Sequence, residues 1–416
     1  MKKANDRHGS YDEYIDFQKQ KTEDPVRREK WLGEEWDSKI NGFVDIFTKN
    51  KDVISHCKKA LCIGARTGQE VVALQSMGLD AIGIDIVEHP PNVIQGDMHE
   101  LPFPDGHFDL VFSNVFDHSL YPAKKAKEIE RVLSKDGVTI LQLQVGIDQD
   151  EYTEFYVNNP YHDILTLFDQ SVCLKNFFVN TNCFGMNFEI VLKKNELLTQ
   201  LYEEVGSVFD LELPKDYEKI WTDINLQTQI DKAKSYGLPE HKTNKYLSTL
   251  KNRGYYLASL ARIHNAKTVI EAGTAEGWQY YSFAHYLRSV SGKILSLDLR
   301  DVRNKDYKKE FENETSFING TSLEMNKHCK ENDIKNVDLF YIDASHDKGA
   351  VIQDVLNLKE FQSENPIWVF DDFDTRFGCF YDIDRICQMK QNYKVYSVGK
   401  TASGNPTHQV IVFGRM

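Results

Sequence analysis

The sequence lacks any long uninterrupted apolar stretch. A membrane-spanning helix needs roughly 18 or more consecutive apolar residues, and no run in the 416 residues approaches that length. The first residues carry charge without an apolar segment behind it, so no secretory signal is predicted. We therefore expect a cytoplasmic protein with no membrane span.

Cysteine and positive charge are also scarce. The seven cysteines are scattered and form no Cys-x-x-Cys pair, which indicates reduced structural thiols rather than disulfides or a zinc site. The 50 Lys and Arg residues are outnumbered by 63 Asp and Glu residues, for a formal net charge of −13. Nucleic-acid binding relies on clustered basic residues, so we expect no nucleic-acid partner.

What the chain does have is an internal repeat. A short apolar strand, a glycine-containing turn, a helix and a second strand ending on aspartate occur at 58–86 and again at 267–299. The strands are continuously apolar rather than alternating, which predicts mostly parallel sheets with helices on both faces. The length also exceeds what one hydrophobic core usually supports. We expect an α/β protein with two Rossmann-like domains.

Domain limits follow from the distribution of strand and helix patterns. Later strands are predicted at 108–115 and 138–145 and a closing hairpin at 172–194, with a helix near 122–134 between them. The polar region 196–253 has helical spacing and no strand pattern. The predicted order is a helical extension, a sheet domain, a helical connector and a second sheet domain, at 1–57, 58–195, 196–253 and 254–416.

The two turns have the composition of nucleotide-binding turns. Glycine carries no Cβ, so it lets a ligand approach backbone N–H groups closely. An acid at the end of the second strand is placed to accept hydrogen bonds from ribose hydroxyls. Neither turn is a GxGxxG or a GxxxxGK[ST] motif, so the pattern favours a nucleoside without phosphates. These residues are Gly64, Gly68, Asp85, Gly273, Gly277 and Asp298.

The first repeat resembles the class I S-adenosylmethionine-dependent methyltransferases. The resemblance rests on LCIGARTGQEV at 61–71 and on GDMHELPFPDGHFDLVFSNVFDH at 96–118. It implies that Gly64 lies under the methionine part of the cofactor, that Asp85 binds the ribose, and that Asp97 and Met98 flank the adenine. Arg66 departs from the small residues common in the family, and it either crowds the pocket or contacts the cofactor carboxylate.

His118 follows the predicted strand at 108–115, near where a methyl acceptor would stand. It is a candidate general base. The alternative interpretation is that Asp117 and His118 cap the following helix and hold a loop in place.

Acidic residues follow two predicted strands of the second domain. Asp343 ends one strand with His346 three residues later, and the adjacent Asp371 and Asp372 end another. Carboxyl ends of neighbouring parallel strands share one edge, so the three carboxylates can converge there. They would repel one another without a cation, and oxygen ligands suit Mg²⁺, Mn²⁺ or Ca²⁺. The alternative is a solvated acidic loop, with His346 capping the next helix.

The same residues resemble the metal-dependent sugar O-methyltransferases of macrolide biosynthesis, of the macrocin and mycinamicin type, and cephalosporin-hydroxylase-like proteins. The resemblance implies that Asp343, Asp371 and Asp372 bind Mg²⁺ or Mn²⁺ and that His346 takes the proton of the acceptor hydroxyl. Asp371 stands where some members have Glu. By the same resemblance the cofactor contacts are Glu271, Gly273 and Asp298, with Ser322 near the adenine.

Several functions remain open at this point. The first is a methyltransferase whose C-terminal domain O-methylates a sugar, a polyol or another small-molecule or glycan hydroxyl, with a second methyltransferase domain at the N-terminus. The second has one active domain and a non-catalytic methyltransferase-like scaffold or binding module. Other metal-assisted chemistry is a third, although an iron oxygenase needs two histidines and one carboxylate. The macrolide resemblance also implies a homo-oligomer.

Overall fold

The computed structural model describes residues 2–3, 7–146, 151–179, 185–208, 211–218, 230–231, 234–235, 237, 240–400 and 406–416. The chain forms two compact units, Met1–Leu198 and Thr199–Met416, here called Domain 1 and Domain 2. Parts of the predicted connector 196–253 and Cys183 lie outside the described residues.

Domain 1 is built on a mostly parallel sheet with the strand order β8-β9-β6-β5-β2-β3-β4. Only the pairs of β9 with β6 and with β8 are antiparallel among the pairings described for this sheet. A short antiparallel pair, β1 with β7, lies apart from it. The strands are β1 (Lys2–Lys3), β2 (Lys59–Ile63), β3 (Asp80–Asp85), β4 (Val93–Gln95), β5 (Phe108–Ser113), β6 (Leu133–Leu143), β7 (Phe155–Tyr156), β8 (Ser171–Phe178) and β9 (Phe188–Lys194).

Helices surround this sheet, and several of them precede it in the chain. Phe43 and Phe47 pack edge-on against Phe112 of β5, with ring centroids 5.6 and 5.2 Å apart, which seats the third helix on the sheet. The helices are α1 (Tyr11–Glu23), α2 (Pro25–Leu32), α3 (Trp36–Lys49), α4 (Lys51–Ile54), α5 (Gln69–Ser76), α6 (Pro122–Val132) and α7 (Pro160–Asp163). A further helix, α8 (Glu196–Val205), begins in Domain 1 and continues into Domain 2.

Domain 2 has a sheet of the order β12-β11-β10-β13-β14-β16-β15. Its strands are β10 (Thr268–Ala272), β11 (Lys293–Asp298), β12 (Thr315–Asn319), β13 (Val337–Ile342), β14 (Gln362–Phe370), β15 (Tyr393–Lys400) and β16 (Pro406–Phe413). Its helices are α9 (Glu240–Ile263), α10 (Trp278–Ser289), α11 (Lys305–Glu310), α12 (Ser322–Glu331), α13 (Ala350–Leu358) and α14 (Cys379–Lys390). In its core Trp368 stacks on Phe340 with ring centroids 3.8 Å apart.

The two sheets share one topology. Counted from the N-terminus within each sheet, the strand order is 3-2-1-4-5-7-6 in both, with the last strand inserted antiparallel. The predicted α/β fold class is therefore confirmed: each domain is a mostly parallel sheet with helices, of the Rossmann-like class I methyltransferase type. In the described part of the chain, no helix combines the length and apolarity needed to cross a bilayer.

Candidate active sites

The glycine turns of the two domains have matching geometry. The amide of Gly64 donates to the carbonyl of Ile84 at 2.8 Å, and that of Gly273 donates to Leu297 at 3.0 Å. Both glycines have positive φ, +79° and +94°. A Cβ on Gly64 would lie 2.1 Å from Val115 Cγ2, and one on Gly273 would lie 2.0 Å from the carbonyl oxygen of Asp343. Only glycine fits at either position.

A second glycine closes each turn. Gly68 is the N-cap of α5 with φ +84°, and Gly277 is the N-cap of α10 with φ +95°. Their amides donate back into the turn, to Ala65 at 2.7 Å and to Thr274 at 2.8 Å. Each turn thus leads directly into a helix whose N-terminus faces the end of the sheet. The first backbone N–H groups of that helix are available there to a ligand.

The acids at the ends of β3 and β11 hold the turns in place. Asp85 Oδ2 accepts from the amide of Arg66 at 2.9 Å, and Asp298 Oδ2 accepts from the amide of Ala275 at 2.9 Å. Both donors have positive φ, 46° and 44°. Arg66 and Ala275 are therefore equivalent positions, two residues after the first glycine of each turn. Burial raises the pKa of Asp85 although backbone hydrogen bonds from Arg66 and Val87 favour its charged form.

In Domain 1, a narrow cleft of about 50 Å³ opens beside the first turn. Gly64, Asp85, Met98 and His118 line it on the sheet side. Residues of α1 line the other side, so this helix lies across the cleft. The corresponding cleft in Domain 2 measures about 480 Å³.

Asp97 fastens α1 to the domain rather than lining the cleft. Its carboxylate accepts from the Tyr11 hydroxyl at 2.5 Å and from the His99 amide at 2.7 Å. Burial opposes the charge of Asp97, but the hydrogen bonds from His99 and Tyr11 outweigh it and lower the pKa to about 2. The predicted adenine neighbour is thus already engaged by the N-terminal helix, while Met98 does line the cleft.

His118 lies in a short 3-10 turn, Phe116–His118, at the floor of the Domain 1 cleft. Its carbonyl accepts from the Tyr14 hydroxyl at 2.9 Å, and its Nδ1 lies 3.4 Å from Gln18 Oε1. It does not cap α6, whose N-cap is Tyr121. The ring therefore remains a candidate base, supported by side chains of α1.

The larger cleft of Domain 2 holds most of the predicted cofactor residues. Gly273, Asp298 and Ser322 line it, and Ser322 Oγ accepts from Asn357 Nδ2 at 2.9 Å. Glu271 lies beneath the turn instead, 1% exposed, and its Oε2 accepts from Ser296 Oγ at 2.5 Å. Burial raises the pKa of Glu271 to about 8.

This buried carboxyl predicts a pH dependence of stability. Folded Glu271 holds its proton up to a pKa of about 8, whereas the unfolded chain releases it near 4.5. The free energy of unfolding should therefore fall as pH rises from about 5 to about 8, by roughly 2 to 4 kcal/mol. Glu271→Gln should melt at a higher temperature than wild type at pH 8, with a smaller difference at pH 5. Parallel melting curves at both pH values would contradict the assignment.

At the carboxyl end of the Domain 2 sheet, polar side chains converge. Among the described residues, Asp343, His346 and Asp372 form a group whose ligand atoms all lie within 4.8 Å of one another. His346 Nε2 is 2.6 Å from Asp372 Oδ2, and the imidazole ring packs on Phe377 with centroids 4.6 Å apart. The adjacent helix α13 is capped by Gly349, so His346 is not its cap.

Asp371 lies beside this group, in contact with Asp343, but its carboxylate is buried against an arginine. It is 4% exposed, and its Oδ2 accepts from Arg253 Nη1 at 2.7 Å and from the Tyr341 hydroxyl at 2.8 Å. Its Oδ1 accepts from the amide of Asp372 at 2.8 Å. The structure thus brings together two of the three predicted carboxylate ligands with His346, and gives the third a buried arginine partner.

The charges of neighbouring residues shift the pKa values of the carboxyl groups and of the histidine at this end of the sheet. Burial and the charges of Asp371 and Asp372 raise the pKa of Asp343 well above its usual range. The hydrogen bond to Asp372 raises the pKa of His346. Burial opposes ionisation of Asp371, but Arg253 outweighs it and lowers its pKa. The raised pKa of Asp343 indicates that neighbouring groups do not compensate a negative charge on its carboxyl, which is the condition under which a carboxyl group exchanges its proton for a cation.

Arg253 is the residue that sequence reasoning missed. It lies on α9, within the stretch predicted to be a polar connector, and its guanidinium is buried. With its amide turned to place oxygen toward the arginine, Gln279 accepts from Arg253 Nε and Nη2 at 2.8 Å each. No local motif distinguishes this arginine from the other basic residues of the same stretch of sequence, so only the fold could reveal it.

Comparison with known proteins agrees with this geometry. Two family profiles, each described as a methyltransferase domain, match residues 61–141 of Domain 1 and 270–373 of Domain 2. The chain carries two methyltransferase domains. No curated protein sequence matches it.

Solved structures similar to these methyltransferase domains include several methyltransferases. An O-methyltransferase from Bacillus cereus, in complex with SAH, is 15% identical with a TM-score of 0.36, covering 50% of this chain and 95% of that one. The O-methyltransferase TomG from Streptomyces achromogenes, involved in tomaymycin synthesis and in complex with SAM, is 15% identical with a TM-score of 0.35, covering 45% and 89%. The 1,6-didemethyltoxoflavin-N1-methyltransferase of Burkholderia thailandensis is 15% identical with a TM-score of 0.34, covering 44% and 87%.

Proposed function

We propose that the chain is an S-adenosylmethionine-dependent O-methyltransferase in which Domain 2 methylates a hydroxyl of a sugar, a polyol or a related small molecule with the help of Mg²⁺ or Mn²⁺. The observation that carries this proposal is the group formed by Asp343, His346 and Asp372 at the end of the sheet. That group follows β13, which pairs with the strand that leads into the Gly273 turn, and β14, the next strand in the sheet, so a methyl donor and an acceptor can meet there.

The Domain 2 cleft suits S-adenosylmethionine in size and chemistry. Its volume of about 480 Å³ falls in the range of small-molecule sites. The Gly273 turn leaves room for the methionine part, and Asp298 is placed for the ribose hydroxyls. The exposed side chains of Leu299 and Leu323, 70% and 61% accessible, line the same cleft and suit an adenine ring.

The cluster suits a divalent cation because neighbouring groups do not compensate a negative charge on Asp343, so a bound cation would take the place of its proton. Asp343 and Asp372 would hold the cation, with Asp371 beside them as the third predicted ligand. A bound Mg²⁺ or Mn²⁺ would supply Lewis-acid stabilisation of the acceptor oxygen. Arg253 and Tyr341 fix the orientation of Asp371, so the ligand set is rigid before substrate arrives.

His346 is the proposed general base. Its Nε2 donates to Asp372 Oδ2 at 2.6 Å, so Nδ1 would accept the acceptor hydroxyl proton, and the hydrogen bond to Asp372 makes the imidazole a stronger base than usual. The exposed edge of the ring lets the proton pass to solvent afterwards. The oxygen then attacks the sulfonium methyl in line, so positioning contributes most of the rate.

A His346→Ala variant tests this assignment. With a panel of sugars and polyols, release of S-adenosylhomocysteine by wild type should depend on Mg²⁺ or Mn²⁺. His346→Ala should lower that rate by roughly 10²- to 10⁴-fold while cofactor affinity stays unchanged. His328→Ala, another Domain 2 histidine on α12, is the matched control and should retain full activity. Loss of cofactor binding in His346→Ala would contradict its role as base.

A second candidate function makes Domain 1 a non-catalytic binding module. The narrow cleft under α1 favours it, since about 50 Å³ is too small for a nucleoside unless α1 moves. Arg66 favours it as well, because its guanidinium lies over the Trp31 ring at 4.7 Å beside the cleft. The number of S-adenosylmethionine sites per intact chain separates the two candidates.

Two further proposals concern cellular context. The described cysteines are buried free thiols, which suits the reducing cytoplasm. The macrolide resemblance supports a homo-oligomer, which light scattering of the purified chain would test.

An iron oxygenase is disfavoured, because the metal-type group among the described residues includes one histidine, His346, rather than two.

A further inference from the structure

A larger cavity of about 550 Å³ lies beside the narrow cleft of Domain 1, and we call it the basic basin. The two cavities share Lys21, Arg66, Val115 and His118 as a common wall. Helices α1, α2 and α3 provide the outer side of the basin, opposite the end of the sheet. A molecule in the basin would therefore lie next to whatever occupies the cleft.

Positive charge dominates this cavity. Five basic side chains line it against a single acidic one, Glu35, within the described part of the chain; they are Lys21, Arg27, Lys30, Lys39 and Arg66. This concentration stands out in a protein whose formal net charge is −13. A cavity lined by one sign of charge attracts ligands of the opposite sign.

Two of these basic side chains pair with the same carboxylate. Lys30 Nζ at 2.9 Å and Lys39 Nζ at 2.6 Å share the one carboxylate of Glu35. Burial and the nearby charge of Arg66 lower the pKa of Lys39. Arg27 contacts Glu151 at 3.3 Å, but both side chains are substantially exposed, so water screens that pair.

An unsatisfied acceptor lies at the inner end of the basin. Asn114 follows β5 and is 3% exposed, and its Oδ1 has no hydrogen-bond partner among the residues that the structure describes. Asn114 lines the basin next to Val115 and His118, where basin and cleft meet. Buried polar atoms are almost always hydrogen-bonded, so this oxygen is suited to accept from an N–H or O–H of a ligand.

We propose that the basic basin is the methyl-acceptor site of Domain 1 and that it takes a small phosphorylated alcohol or amine. The phosphate would lie among the basic side chains, and the hydroxyl or amino group would reach Asn114 and His118. This inference rests on S-adenosylmethionine binding in the adjoining Domain 1 cleft, which requires α1 to move from its position across that cleft. It assigns Domain 1 a different substrate class from the uncharged hydroxyl proposed for Domain 2.

The reaction balances with residues on this wall. A bond forms between the acceptor oxygen or nitrogen and the methyl carbon as the bond from that carbon to the sulfonium sulfur breaks. S-adenosylhomocysteine leaves as a neutral thioether, and the acceptor proton passes to the His118 ring and then to solvent. An amine acceptor has a second hydrogen, which it would donate to Asn114 Oδ1 before transfer, whereas an alcohol would donate its single hydrogen to the His118 ring.

Two matched double variants test the site by binding alone. Arg27→Gln/Lys30→Gln removes two basin charges, each paired with an acid at 3.3 and 2.9 Å. Lys135→Gln/Lys193→Gln removes two Domain 1 charges outside the basin, paired with acids at 2.8 and 2.9 Å. Inorganic phosphate titrated into the full chain, saturated with S-adenosylhomocysteine, should bind about tenfold more weakly to the first variant and normally to the second.

The outcomes separate this inference from the proposed function. Equal phosphate affinity in both variants, or no saturable binding in wild type, would overturn it. A preceding titration that finds S-adenosylhomocysteine only in Domain 2 would overturn the acceptor role while leaving the Domain 2 proposal intact. In a His346→Ala background, methyl transfer should proceed with phosphorylated alcohols or amines and not with their dephosphorylated counterparts. Transfer to both equally would also overturn it.

Discussion

Replacing Gly273 with alanine should reduce the S-adenosylmethionine sites of the intact chain from two to one. The new Cβ would lie 2.0 Å from the carbonyl oxygen of Asp343, a backbone atom that cannot rotate away, and φ is +94°. We expect the Domain 2 affinity to fall by at least about 100-fold, equivalent to roughly 2.7 kcal/mol. Calorimetric titration of S-adenosylmethionine measures the number of sites directly. One site in wild type, lost in this variant, would identify Domain 1 as the non-catalytic module.

A control separates steric conflict from backbone strain. Gly414 also has a positive φ, +103°, but a Cβ there meets nothing within 4 Å. Gly414→Ala should therefore carry a similar strain, about 1 to 2 kcal/mol, and retain cofactor binding. Two intact sites in Gly273→Ala would refute the placement of the methionine part against this turn.

Neutralising Asp372 should abolish high-affinity Mn²⁺ binding. Asp372 belongs to the Domain 2 cluster and also contacts His346, so Asp372→Asn removes a negative charge and loosens the base. We expect Mn²⁺ affinity to fall by about 100-fold or more, and turnover to fall at least as far. Electron paramagnetic resonance of free Mn²⁺ follows binding without any acceptor substrate.

The neighbouring Asp374 provides the matched control. It lies two residues further along, and its carboxylate pairs with Arg376 at 2.8 Å, outside the cluster. Asp374→Asn should bind Mn²⁺ like wild type. If the two variants lost Mn²⁺ affinity equally, general negative charge rather than a defined ligand set would explain the binding.

The Domain 2 site was largely predictable because its residues follow strands. Apolar strands are recognisable in the sequence, and parallel topology brings their carboxyl ends to one edge, so Asp343 and Asp372 could be placed together. The direction of Asp371 was not predictable. It depends on Arg253, which reaches it from a helix 118 positions earlier in the chain.

The Domain 1 site was less predictable because part of its wall comes from a helix far from the glycine turn in the sequence. The turn and Asp85 follow strands and were identified, but the narrowing of the cleft comes from α1. The region 1–57 gave only a helical pattern, which says nothing about which face lies over a ligand site. The basic basin could not be predicted from the sequence either, because its basic residues come from separate helices and the overall composition is acidic.

The close approach of Gly273 to the carbonyl of Asp343 would couple the two binding events proposed for Domain 2. The Gly273 turn and the residue that follows β13 are in direct contact, so a ligand that displaced one of them would also displace the other. Thermodynamic linkage then requires reciprocity. By whatever factor the methyl donor changes the affinity for the cation, the cation changes the affinity for the methyl donor. The total free energy of binding both ligands would therefore be the same whichever ligand binds first.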